Sequence, residues 1–295
     1  MSQQRVLITG INGFTGKYVQ LALEQAGYDV FGTGSLVSDL PNYYNVDLLD
    51  KDGLTRVITQ LQPNVVIHLA AIAFVAHSNA DAFYQVNLIG TRNLLEALAI
   101  NAKNLDAVLL ASSANVYGNS TEGVLSESMK SNPANDYAVS KLSMEYMAKL
   151  WVNKLPIFLV RPFNYTGVGQ STDFLLPKIV SHFHLKAETI ELGNLDVWRD
   201  FSDVRTVAEI YRRLIEVKPL GQTINVCSGH THSLREVFAM AEEISGLKME
   251  VKVNPAFVRA NEVKTLCGDT TLLRAVIGDW NAIPLNDTLR WMLTQ

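Results

Sequence analysis

A run of β-forming residues that passes directly into a glycine-spaced turn and then a helix limits this chain more than any other feature. Arg5-Val6-Leu7-Ile8-Thr9 leads into Gly10-Ile11-Asn12-Gly13-Phe14-Thr15-Gly16, and a helical pattern follows from Lys17 to Ala26 until Gly27 stops it. Glycines between a strand and a helix permit a tight turn. They also let backbone N–H groups approach an anion at the positive helix N-terminus. The spacing is GxxGxxG, not the GxGxxG of the usual dinucleotide fingerprint. Taken alone, the turn therefore leaves an ordinary ligand-free βα connection open.

The same alternation continues downstream. Tyr28–Phe31, Val65–Ala70, Ala107–Ala111 and Ile157–Val160 read as strands. Phe83–Asn101 and Asp136–Trp151 read as helices between them. Val65–Ala70 is nearly continuously apolar, as a strand covered on both faces should be. Strands alternating with helices imply an α/β fold, a doubly wound parallel sheet (Rossmann) with right-handed crossovers. After Arg161-Pro162 the texture changes to Gly, Thr and Ser over Asn164–Asp173, and only Trp198–Val204 and Thr223–Cys227 still resemble sheet material. The expected layout is a nucleotide-binding domain of residues 1–163 plus 200–228. A smaller, discontinuous C-terminal substrate-binding domain would hold residues 164–199 plus 229–295. A length of 295 residues fits two domains at roughly 150 residues each.

Composition removes several classes of function. Hydrophobic residues are 48% and charged residues 18%, which supplies a full core and argues against disorder. Lys and Arg total 25 against 29 Asp and Glu, a net charge of −4. No nucleic-acid partner is expected, and any anionic ligand must be held by a few placed groups. The longest apolar stretch, Val65–Ala76, is interrupted by His68 and is shorter than the about 20 residues a membrane span needs. The N-terminus enters a strand instead of a signal segment. Cys227 and Cys267 cannot build a disulfide framework. Together these features predict a cytoplasmic protein with no membrane partner.

Tyr137 and Lys141 stand at i and i+4, on one face of the Asp136–Trp151 helix. A cation beside a phenol favours the phenolate and lowers its pKa towards the range of an acid–base catalyst. Ser112 and Ser113 close the strand Ala107–Ala111 at the C-terminal edge of the sheet, where open α/β folds bind ligands. A hydroxyl, a Tyr–Lys pair and a glycine turn on one sheet edge have few structural explanations.

On these residues the chain resembles the extended short-chain dehydrogenase/reductase superfamily along essentially its whole length. Val46-Asp47-Leu48, His68-Leu69-Ala70-Ala71 and Val86-Asn87-Leu88-Ile89-Gly90-Thr91 support the resemblance, beside Gly10–Gly16, Ser112–Gly118 and Tyr137–Lys141. It implies that Ser113, Tyr137 and Lys141 form the catalytic triad, with spacing to Val116-Tyr117-Gly118 favouring Ser113 over Ser112. Tyr137 would transfer the proton, Lys141 would bind the nicotinamide ribose and tune Tyr137, and Ser113 would hydrogen-bond the reacting oxygen. Gly10, Gly13, Phe14, Thr15 and Gly16 would hold the pyrophosphate, Asp47 would lie near the adenine, and Leu69 and Ala70 would complete the cofactor site. After the second strand, Gly32-Thr33-Gly34-Ser35 offers no acid for an NAD ribose and no base for a 2′-phosphate. The hydroxyls of Thr33 and Ser35 could admit that phosphate, so NADP(H) is favoured over NAD(H).

Val160–Gly167, Trp198–Val204 and Ile224–Gly229 resemble nucleotide-sugar-modifying members of the superfamily, and in texture the GDP-4-keto-6-deoxy-D-mannose reductases, which form GDP-rhamnose. By that resemblance Asn164, Arg199 and Arg259 would contact the diphosphate of a nucleotide-diphosphate sugar, and Glu262 the nucleoside ribose. Arginine suits the task, because its planar fork binds phosphate oxygens bidentately. The 4,6-dehydratases carry an acid two positions after the triad Ser or Thr. Here Asn115 stands there, and an amide is no general acid or base near neutral pH. The resemblance thus implies reduction of a C4 keto group in place of dehydration. Rival readings are a 4-epimerase with tightly held NAD and a non-catalytic NADP-binding regulatory protein. A homodimer through the Phe83–Asn101 and Asp136–Trp151 helices is implied too. His182 with His184 and His230 with His232 lack a matching acidic or cysteine cluster, so no metal is expected.

Overall fold

The structure is a computed structural model that describes residues 3–75, 79–118, 123–257 and 264–295. Seven parallel strands form the central sheet in the order Thr223–Val226, Ile157–Pro162, Ala107–Ala111, Val65–His68, Arg5–Thr9, Asp29–Gly34 and Tyr43–Asn45. Side chains alternate faces along a strand, and the two cores of the sheet follow that alternation. Val6, Ile8, Val65, Ile67, Leu109, Phe158 and Val160 enter one core, under the helices Phe14–Gln25 and Val204–Val217. Leu7, Val66, Val108, Leu110, Ile157 and Leu159 enter the other, under Lys51–Leu61, Thr91–Asn101 and Asp136–Lys149. Helices on both faces make this a doubly wound sheet of the Rossmann type, and they explain the apolar runs of its central strands.

The strand order reverses between Arg5–Thr9 and Val65–His68. The turns that follow these two strands hold Gly10–Gly13 and Leu69–Ala70, so the crevice beyond them lies at the topological switch point, where such folds take ligands. A second sheet joins Thr231–Ser233, Trp198–Asp203, Thr265–Gly268 and Gly123–Leu125 in that order, and Asn164–Thr166 pairs with Trp198–Asp203. Beside it Leu176, Ile179, Phe183, Val197, Phe201, Val237, Phe238 and Leu289 form a third core.

The chain passes between these parts at points that differ from the sequence expectation. Residues 200–203 pair in the smaller sheet, and only the helix after them covers the large one. Leu273 and Ile277, expected in the smaller part, pack into a core of the large sheet. The helix expected over Phe83–Asn101 is also not uniform. Tyr84–Gly90 is wound in wider π-type turns between Ala80–Phe83 and Thr91–Asn101. This π segment holds buried Asn87, whose amide pairs with both backbone groups of Ile72 (2.9 and 3.1 Å) and with Ser140 Oγ (3.0 Å). Asn87 thus ties the segment after the fourth strand to the Tyr137 helix.

Candidate active site

The glycine turn is closely packed. Gly10 has a φ of +73°, which L side chains rarely adopt, and a Cβ there would stand 2.8 Å from Ala70 Cα. At Gly16 a Cβ would lie 2.5 Å from the carbonyl oxygens of both Gly10 and Ile11. The backbone thereby approaches the switch-point crevice with no side chain in between. The helix Phe14–Gln25 begins at Gly13 without a side-chain cap, and its first turn contains no acid. Its leading N–H groups, those of Phe14 and Thr15 among them, are free to meet an anion. These features fit a dinucleotide pyrophosphate.

A hydrogen-bonded chain links the turn to the neighbouring strands. Thr91 Oγ1 donates to Asn87 O at 2.7 Å, so it accepts from His68 Nε2–H at 2.8 Å. His68 Nδ1 therefore accepts from Thr9 Oγ1 at 2.6 Å, and Thr9 Oγ1 accepts from Ala70 N–H at 3.3 Å. Burial, with Lys141 nearby, depresses the His68 pKa to about 3 and keeps the ring neutral. Leu69 N–H bonds to Thr9 O at 3.1 Å, so Leu69 and Ala70 line up against the turn. Asp47, exposed beyond Tyr43–Asn45, accepts from Leu49 N–H at 2.8 Å. At the second strand Thr33 is buried, whereas Ser35 is exposed at the strand end.

Ser113, Tyr137 and Lys141 converge at the C-terminal edge of the strand Ala107–Ala111, the second from the switch point, all three buried. Asn135 caps the Tyr137 helix by accepting from Ala138 N–H at 2.9 Å. Tyr137 packs against the Phe83 ring, and Ser113 acts to lower its pKa. Ser112 is taken by another partner, donating to Glu145 Oε1 at 2.5 Å, so the two adjacent serines are separated by geometry. Lys141 Nζ donates to Ala111 O at 2.8 Å. Burial pushes the Tyr137 phenol up to about 12, against a smaller lowering by Ser113, and pushes Lys141 down to about 8. The expectation that the Lys141 charge lowers Tyr137 is thus reversed in direction. Desolvation sets the direction, and the Lys141 Nζ is directed at the Ala111 carbonyl.

Behind Ser113, Tyr137 and Lys141 lies a network that spacing did not disclose. Glu145, one turn after Lys141, forms a bidentate pair with Arg161, with contacts of 2.6 and 2.8 Å. Arg161 also donates to Tyr117 Oη at 3.0 Å, and Tyr117 donates to Asn225 at 2.7 Å. A second unforeseen contact joins Thr15 in the glycine turn to Tyr165 Oη at 2.7 Å, with the Phe14 and Tyr165 rings stacked. The i, i+4 step from Lys141 to Glu145 was the available signal for the first. Nothing local marked the second.

Asn164 and Arg199 lie on paired strands of the smaller sheet. Asn164 pairs in register with Phe201, two residues beyond Arg199, and its amide donates to Asp200 O at 3.3 Å. Arg199 Nη1 donates to Trp198 O at 2.8 Å. Arg259 and Glu262 lie outside the described residues. His182 and His184 bond to the carbonyls of Lys178 and Leu293.

A family model described as GDP-mannose 4,6 dehydratase matches residues 7–292. The chain is 39% identical over 277 residues to the GDP-6-deoxy-D-talose 4-dehydrogenase of Aggregatibacter actinomycetemcomitans, covering 93% of this chain and 92% of that protein. It is 34% identical over 307 residues to the GDP-6-deoxy-D-mannose reductase of Pseudomonas aeruginosa, covering 95% and 98%. A structure of RMD from Pseudomonas aeruginosa complexed with NADPH superposes with a TM-score of 0.86 at 31% identity, over 99% of this chain and 97% of that one. A Burkholderia cenocepacia J2315 structure, described only provisionally as an epimerase, superposes with a TM-score of 0.93 at 50% identity, over 99% and 97%. The chain belongs to the GDP-mannose 4,6 dehydratase family of extended short-chain dehydrogenase/reductases.

Proposed function

We propose that this protein is an NAD(P)H-dependent ketoreductase that reduces C4 of a nucleotide-linked 4-keto-6-deoxy sugar, with GDP-4-keto-6-deoxymannose as substrate and GDP-rhamnose or its C4 epimer as product. The observation that carries the reading is the convergence of Ser113, Tyr137 and Lys141 on the switch-point edge, with Asn115 where a dehydratase needs an acid. The Aggregatibacter and Pseudomonas relatives, a 6-deoxytalose dehydrogenase and a 6-deoxymannose reductase, support a GDP-linked 6-deoxy sugar. Their two sugars differ at C4, so the configuration of the product is the part that the relatives leave to experiment.

When bound, the nicotinamide supplies the hydride that reduces C4. Gly10, Gly13 and Gly16 leave room for the pyrophosphate, and Phe14 and Thr15 offer it N–H groups. Asp47 lies on the adenine side. Lys141 gives a cation beside the ribose, and Tyr137 protonates the alkoxide that develops at C4. Asn164, Arg199, Arg259 and Glu262 bind the sugar nucleotide in this reading. We assign that role to residues 164–199 plus 229–295 and cofactor binding to 1–163 plus 200–228, allowing for the strand and helix that cross over. NADP(H) is the favoured cofactor, supported by the NADPH in the Pseudomonas structure and by Ser35, with no acid, at the end of the second strand.

A homodimer is part of the proposal. Ile89 and Ile100 on one helix segment pair, and Tyr146 and Leu150 at the end of the Tyr137 helix, are exposed apolar groups of the kind a two-fold helical interface covers. Cys227 and Cys267 are both free thiols, which agrees with a reducing, cytoplasmic setting. The second reading, a 4-epimerase, is favoured by the Burkholderia similarity. NADPH oxidation with enzymatically generated GDP-4-keto-6-deoxymannose, beside dTDP-4-keto-6-deoxyglucose, separates the two. Consumption with the GDP sugar alone supports the reductase. Silence with both, from protein that purifies with NAD, supports the epimerase.

A further inference from the structure

The chain on either side of Ser113 is held by the two halves of one buried ion pair. Before it, Ser112 Oγ donates to Glu145 Oε1 at 2.5 Å. After it, Tyr117 closes the 3₁₀ turn Ala114–Tyr117, and its Oη accepts from Arg161 Nη1 at 3.0 Å. Glu145 and Arg161 meet through contacts of 2.6 and 2.8 Å, and all four residues are buried. Arg161 stands on the strand Ile157–Pro162, beside Ala107–Ala111, and Glu145 on the helix that carries Tyr137 and Lys141. Tyr117 Oη also donates to Asn225 Oδ1 at 2.7 Å, which anchors the chain of bonds on the next strand, Thr223–Val226. Stability alone does not call for such a pair. Exchanging a buried ion pair for apolar groups of equal volume is often neutral or stabilising, because desolvation offsets the attraction. What the pair supplies is direction. The planar arginine fork fixes the carboxylate, so Ser112 meets an acceptor that cannot turn away.

We propose that Glu145 and Arg161 are positioning residues for Ser113, gripping Ser112 through the carboxylate and Tyr117 through the guanidinium. The catalytic consequence rests on the ketoreductase reading, in which Ser113 hydrogen-bonds the oxygen on C4. Ser113 Oγ accepts from the Asn115 N–H at 3.1 Å, so its one proton is available to that oxygen. A donor aimed at charge that develops during reaction acts only if it is held in place beforehand. Lys141 is anchored separately, by donating to Ala111 O at 2.8 Å. Releasing either grip therefore loosens the Ser113 turn and leaves the ribose side of the site as it was.

The test uses Ser112→Ala and Tyr117→Phe in the full-length protein, since each removes one grip and leaves the ion pair intact. Glu145→Gln would leave a buried guanidinium without its carboxylate and put the fold itself at stake. Hydrogen exchange is read at the amides of Asn115, Val116 and Gly118, which bond within this turn. It should quicken about tenfold in either variant, while the central sheet keeps its protection. With GDP-4-keto-6-deoxymannose and NADPH, each variant should lower kcat about 3- to 10-fold with KM unaltered. In a Ser113→Ala background neither change should lower kcat further, whereas a merely structural role would still do so. Unchanged exchange in either variant, exchange that quickens across the whole sheet, or an equal kcat loss with Ser113 already removed overturns the proposal. The exchange measurement needs neither cofactor nor sugar. A turn that loosens as expected, in a protein that reduces no keto sugar, supports the grip and overturns the ketoreductase reading instead.

Discussion

Burial acts in opposite directions on the two members of the Tyr–Lys pair. It raises the phenol of Tyr137 to about 12 and lowers the ammonium of Lys141 to about 8, because in each case the charged form is the one disfavoured. At neutral pH both groups hold their protons, which is the combination that protonation of an alkoxide requires. The rate of reduction should therefore hold up to about pH 8 and fall above it, and Lys141→Arg should move that limb to higher pH, as a kcat–pH profile would show. His68 governs a separate pH effect, on stability. Its pKa falls from 6.5 to about 3 on folding, so its contribution is complete above 6.5 and is lost as the pH drops towards 3. Each unit of that shift is worth about 1.4 kcal/mol. Urea unfolding at pH 7 and pH 4.5 should show a larger acid loss for the wild type than for His68→Gln. Equal losses would mean that the ring is not held neutral.

At the level of elements, legibility followed how locally each element is determined. The strands Arg5–Thr9 and Ala107–Ala111 read correctly to the residue, because strands covered on both faces carry runs of buried apolar residues. The helix Lys51–Leu61 has Leu54, Val57, Ile58 and Leu61 at helical spacing behind an Asp50 cap, yet Gly53 in its first turn conceals it. Strands such as Gly123–Leu125 and Thr265–Gly268 are short and exist because they pair with each other across the chain, which no local pattern reveals. That Tyr137 and Lys141 share a helix face beside the end of the Ala107–Ala111 strand was legible from i, i+4 spacing and strand position. The Glu145–Arg161 pair was not, since it joins a helix to a strand. The glycine turn also carries a prediction at this scale. Gly16→Ala forces a Cβ to 2.5 Å from two carbonyl oxygens, so the turn must open. NADPH affinity, followed by cofactor fluorescence, should fall by about tenfold or more, the equivalent of about 1.4 kcal/mol.

For the molecule as a whole, one sheet carries the cofactor edge and the smaller sheet carries Asn164 and Arg199, with Trp198–Asp203 leading directly into a helix of the large layer. Asp200 reinforces that junction by accepting from Ser228 and from the backbones of Gly229 and Gly268. The same layout leaves Tyr146 and Leu150 at 62% and 78% exposure on the Tyr137 helix, an apolar face that a second subunit would cover. Sedimentation should find a dimer at micromolar concentration, and Tyr146→Glu with Leu150→Asp should yield a monomer. The most direct test of the central claim follows the hydride itself. With [4-²H]NADPH of the transferable face and GDP-4-keto-6-deoxymannose, one equivalent of NADP⁺ and deuterium at C4 of the product are expected, with Tyr137→Phe about 10²- to 10⁴-fold slower. A sugar product without deuterium at C4, formed with no NADPH consumed, would contradict it.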